Sequence, residues 1–264
     1  MAPQAFTSAT LTYWVTAFVL VVARVSTFFV VFPLFRAARV PRLIKVSFSI
    51  ALSGLWLTSM ANDAAVAFPD ISNELWISYG IAIAREMIIG GALGYLFGLF
   101  FLPAQIAGSY LGQEMGLSMA SITDPSSGIS TNVVGELLGV FAMLIFFGSD
   151  VHHLVIGTLY SSFAKFPVGE PLQMFQMSTF SQGLASAERW GLELAAPIGI
   201  ILFLTTVLLT IMIRTSPQLN LFSVGIVLRI GIGLVASFVF FPNILSMVSV
   251  VFSNVRSFVE RLGM

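Results

Sequence analysis

A chain of 264 residues that is 57% hydrophobic, only 9% charged and +0.97 in mean hydropathy lies far from the roughly one quarter of charged residues found in a soluble domain. Its 12 basic and 12 acidic side chains balance, so it has no polybasic surface for nucleic acid. Its lack of cysteine excludes disulfides, thiolate metal sites and cysteine nucleophiles. What remains is a membrane protein with lipid as one of its partners.

Six apolar stretches follow in chain order, at about 11–35, 46–68, 75–107, 133–164, 191–213 and 219–252. Each meets the roughly 20 residues that an α-helix needs to cross a bilayer. No ten-residue alternating pattern recurs, which argues against a β-barrel and predicts an all-α fold. The first stretch is too long for a signal-peptide core and reads as a retained segment. Arg36, Arg39, Arg42 and Lys45 cluster after it without an acid, which predicts a cytoplasmic loop. A six-span path then puts both termini outside, together with the loop bearing Asp63, Asp70 and Glu74. The third stretch, of about 33 residues, would measure near 50 Å as one helix, so it must kink, break or leave the membrane. Pro103 there and "GSDVHH" at 148–153 in the fourth stretch are the expected break points. Asp124 before Pro125, and Ser216 before Pro217, read as N-caps where helices restart.

Charges interrupt the apolar runs at Arg24, Arg85, Glu86, Glu136, Glu193 and Arg229. A charge at the centre of a bilayer costs about 2.5–3.5 kcal/mol even on the mildest scale, so these residues pair, line a path or meet neighbouring chains. For Arg85 and Glu86 both a structural pairing and a proton relay are open. Small residues are patterned as well. Gly90, Gly94 and Gly98 recur every four residues, as do Gly108, Gly112 and Gly116, and Gly135 and Gly139 form a shorter pair. On helices such sets are grooves for close backbone approach.

The segment "GQEMGLSMASITDPSSG" at 112–128 is the least lipid-like part of the chain. If helical, it places Gly112, Met115, Gly116 and Met119 on one face and Glu114 on the other. A packing stripe and a moving seal fit that face equally, since methionine is soft and adaptable. Enzyme signatures are missing: neither "GxSxG" nor "GxxxxGK[ST]" occurs. The adjacent His152 and His153 do not share a helix face as "HExxH" does, so no metal, cofactor or catalytic residue is expected.

The stretches "GSYLGQEMGLSMASITDPSSG", "HHLVIGTLYSSFAKFPVG" and "SPQLNLFSVGIVLRIGIG" resemble the most distinctive parts of the FliR/SpaR/SctT family of type III secretion export-apparatus proteins, and "ARVSTFFVVFPLFRAARVPRLIKVSFSIAL" resembles its opening. The likeness covers nearly the whole chain. It implies a non-enzymatic, single-domain subunit of the flagellar export gate. FliP-like and FliQ-like subunits would be its partners in a helical pore-forming assembly, with FlhB-like and FlhA-like proteins nearby and unfolded proteins as the exported substrates. It further implies a FliP-like front part, about 1–185, carrying a plug loop within 108–132, and a FliQ-like helical hairpin, about 186–264. The plug role falls on Gly112, Glu114, Met115, Gly116 and Met119. The implied location is the bacterial inner membrane at the flagellar basal body, with much of the assembly on the periplasmic side. The corresponding subunit of a virulence injectisome is the nearest alternative. A small-solute transporter built on Arg85, Glu86 and Glu114 is the alternative from another class.

Overall fold

A computed structural model describes residues 8–36, 41–60, 76–117, 133–168, 177–215 and 221–262, and every regular element among them is helical. In order these are α1 (Ser8–Val31), α2 (Pro33–Arg36), α3 (Arg42–Met60), α4 (Trp76–Gly98), α5 (Leu102–Glu114), α6 (Val133–Gly148), α7 (Val151–Lys165), α8 (Met177–Thr215) and α9 (Leu221–Leu262). A helix bonds its own backbone groups internally, which is what long apolar runs require in lipid. Among the described residues five helices are long and apolar enough to cross a membrane, and α6 with α7 forms a bent pair that makes a sixth candidate. The chain is a multi-helix membrane protein.

The long third stretch breaks close to its proline. Helix α4 stops at Gly98, a turn occupies 99–101, and α5 restarts with Pro103 in its first turn, where a missing N–H leaves no intrahelical bond unmade. The fourth stretch turns at Ser149 and Asp150, with Asp150 in the left-handed region at φ 54°. By contrast, α8 and α9 run through Pro197 and Pro242. Helix α8 also starts at Met177, well before the apolar stretch at 191 that hydropathy marks. At about 1.5 Å per residue, its 39 residues and the 42 of α9 extend ~58 and ~63 Å, about twice a hydrocarbon core of ~30 Å. The N-cap expectations at Asp124 and Ser216, the loops bearing Arg39, Asp63, Asp70 and Glu74, and Met119 lie outside the described residues.

Packing divides the chain into two units, one of residues 1–98, 152–180 and 256–264, the other of 99–151 and 181–255. Each draws on both the front and the back part that the resemblance implies. In the first unit, α1 packs against α3 and α4. The α4 glycines face it: a Cβ on Gly90 would fall 2.5 Å from Thr27 Oγ1 and closer still to the Arg24 carbonyl, and one on Gly94 would fall 2.7 Å from the Phe28 carbonyl. On Gly98 it would press on the Pro33 ring at 3.2 Å. Contacts at 24, 28 and 33 rise in step with 90, 94 and 98, so α1 and α4 run parallel, as first and third spans of an alternating path must. Phe28 completes this core by stacking on Phe32 at 5.3 Å and meeting Phe97 edge-on at 6.3 Å.

In the second unit, α5 packs against α6. Gly108 meets the Gly135 backbone there, and a Cβ on Gly108 would overlap it. Phe101, Phe146 and Phe252 form a buried aromatic triad with centroids 5.2–5.6 Å apart.

Candidate functional site

Two groups of residues stand out from ordinary helix packing, one in each unit. In the first, Arg24 is 0% exposed and Glu86 1%. Arg24 Nε donates to Glu86 Oε2 at 2.6 Å, one Nη donates to Ser162 O at 3.0 Å and Ser162 Oγ at 3.3 Å, and the other to Phe166 O at 2.8 Å. Its guanidinium also lies 4.2 Å over the Phe163 ring. One cation of α1 thereby holds an acid of α4 and the carbonyl-rich C-terminal end of α7. Glu86 is thus paired with Arg24, and its sequence neighbour Arg85, about 100° round the helix, is half-buried and makes no ion pair with a described residue.

The remaining expected charges are not gathered into that cluster. Glu136 is exposed on α6, and Arg229 is half-buried on α9, its Nε lacking a hydrogen-bond partner among the described residues. Glu193 pairs with Arg189 one turn earlier at 2.7 Å on the open face of α8.

In the second unit lies the end of α5. Helix 102–114 does not carry its stripe on to residue 119, because Gly116 takes φ 79°, in the left-handed region. The Gly116 N–H donates to Gln113 O at 2.9 Å and the Leu117 N–H to Gly112 O at 3.0 Å. Those two bonds are a Schellman cap, which satisfies the last carbonyls and turns the chain off the helix axis. Gly112 therefore lies inside the helix and Gly116 terminates it, although the four-residue spacing treats them alike.

Three contacts fix α5 as it approaches that cap. Beyond the Gly108–Gly135 approach, Tyr110 lies over Gly199 of α8, where a Cβ would stand 2.8 Å from Tyr110 Cε1. Met115, 1% exposed, lies over Gly233 of α9, where a Cβ would stand 2.6 Å from Met115 Cε and 2.7 Å from Cγ. A Cβ on Gly116 would touch Ile226 Cγ1 at 3.8 Å. Ile226 and Gly233 are seven residues apart and share one face of α9, with Arg229 between them. Glu114, half-buried at the last helical position, makes no hydrogen bond or ion pair with a described residue.

The two sequence stretches that meet here, 108–117 and 226–233, both belong to the motifs quoted above. Residues 15–255 match the family model described as "Bacterial export proteins, family 1". The chain belongs to that family. Among its relatives, the flagellar biosynthetic protein FliR of Bacillus subtilis is 30% identical over 245 residues, 91% of this chain and 90% of that protein. FliR of Escherichia coli is 29% identical over 209 residues, 78% of this chain and 77% of that protein. The surface presentation of antigens protein SpaR of Shigella flexneri is 26% identical over 172 residues, 65% of this chain and 66% of that protein. Within this export protein, sequence reasoning had missed Gly233 and the α8 glycines, where Gly183 meets Leu99, Gly191 meets Ile106 and Gly199 meets Tyr110. Their spacing of eight, two turns apart, was the signal available.

Proposed function

We propose that this export protein is a subunit of the core gate of the flagellar type III secretion system, in the bacterial inner membrane at the basal body. Its partners there are FliP-like and FliQ-like chains, with FlhB-like and FlhA-like proteins alongside. It contributes a channel and a plug and performs no catalytic step. The family match over 15–255 carries this reading. Relatives named FliR are covered to 90% and 77% and the SpaR protein to 66%, which favours the flagellar over the injectisome role. The long helices add support. Exposed apolar side chains on α9 run from Val224 to Val250, with Phe238 between them 84% exposed. At about 1.5 Å per residue that is ~39 Å, more than a hydrocarbon core of ~30 Å covers, so neighbouring helices would cover part of it.

In this reading segment 108–122 occludes the channel at rest, and an arriving unfolded chain displaces it. The described part, up to Leu117, is an anchor: Leu111 and Met115 are buried, and the Gly116 cap ends α5. Removal of residues 118–122 spares that anchor. In cells carrying the whole apparatus, the deletion should leave assembly intact and make the inner membrane leaky to ions and small solutes. An assembled complex that stays tight counts against the plug.

A further inference from the structure

We infer that Gly233 of α9 is a socket for Met115 and that this interlock sets where the plug segment leaves α5; the inference rests on the proposed plug. The Met115 side chain fills the space that a side chain at 233 would take, with Cε, Cγ and Sδ 2.6, 2.7 and 3.0 Å from the site of a Cβ. Cγ is near the backbone, so rotating the far end of the methionine cannot clear the overlap. Met115 is the C-cap residue of α5, and Gly116 beside it is the left-handed residue that redirects the chain. A displacement at Met115 therefore passes directly into the cap at Gly116 and Leu117. Ile226, two turns before Gly233 on α9, has its Cγ1 3.8 Å from where a Cβ on Gly116 would stand, so the same face of α9 flanks the cap residue next to Met115. Gly231, two residues away on the same helix, would accept a Cβ with nothing within 4 Å. The constraint thus belongs to position 233 and not to glycine in α9 generally.

Ion leak through the assembled gate tests this, measured by decay of an imposed ion gradient, with the amount of intact complex recovered by affinity purification as the control. Gly233→Ala pushes Met115 out of its seat, and Met115→Ala empties the seat. Each should raise leak, on the order of tenfold for a coupling in the middle of the range usual for contacting residues. The double variant, in which the added methyl occupies the vacated space, should fall back toward the wild-type leak, a rescue that general destabilisation would not produce. Gly231→Ala should be silent. If Gly233→Ala fails to assemble, Met115→Ala alone and the double variant still decide. Assembled variants as tight as wild type, or a double variant leakier than both singles, overturn the interlock. Should 118–122 deletion leak while these variants stay tight, the plug stands and the interlock falls; if the deletion is tight too, the plug reading itself has failed.

Discussion

A guanidinium in the middle of an apolar helix is sustained only if its nitrogens find acceptors, and each nitrogen of Arg24 does so, with a carboxylate, two carbonyls and a hydroxyl, while the cation stacks on an aromatic face. Replacing Arg24 with Met leaves the Glu86 carboxylate buried without its cation. Breaking a buried pair from one side typically costs about 3–5 kcal/mol, whereas replacing both partners with apolar groups is often neutral. Arg24→Met should therefore lower the thermal midpoint of the purified protein in mild detergent severely, and Arg24→Met with Glu86→Met should lower it much less. Equal losses in the single and double variants would mean that shape, not charge pairing, matters at this point. The need for a partner was legible in the sequence, because a lone charge there is too costly. The partner's identity was not, since Glu86 lies 62 positions away and only the packing of α1 on α4 brings the two together. Adjacent residues on a helix diverge by about 100°, which is why Arg85 does not share Glu86's buried face.

At the level of elements, equal spacing concealed unequal glycines. A Cβ on Gly112 would meet nothing within 4 Å, Gly108 abuts the Gly135 backbone, and Gly116 holds φ 79°. Gly112→Ala should be neutral or stabilising by up to about 1 kcal/mol, the usual helical advantage of alanine. Gly116→Ala should cost about 1–2 kcal/mol from left-handed strain, and Gly108→Ala should cost more because backbone cannot yield as a flexible side chain can. Gly139→Ala, on the helix facing Gly108 and likewise open within 4 Å, serves as the tolerant control. Thermal midpoints across these four variants check the order. The breaks at Pro103 and Asp150 were readable from proline and turn chemistry. The stop at Gly116 was not, since the even spacing of Gly108, Gly112 and Gly116 fits a continuing helix and only the left-handed φ of Gly116 shows where it ends. The early start of α8 was missed for a related reason: "STFSQGLASAERWG" is too polar for a hydropathy signal and lies outside the apolar stretch.

For the whole molecule, helices of ~58 and ~63 Å with open apolar faces describe a protein whose surroundings include other chains as well as lipid. The apolar stretches and family motifs were legible because they are local; the two discontinuous packing units were not, because each joins segments separated in the chain by residues of the other unit. Whether this export protein works as one subunit of a hetero-oligomeric gate is decided by native mass spectrometry after co-expression with its neighbouring genes and purification in mild detergent. The expected result is a stable complex holding one copy of this chain with several copies of FliP-like and FliQ-like chains. A lone monomer or homodimer, recovered while those neighbours are expressed and membrane-inserted, would contradict it.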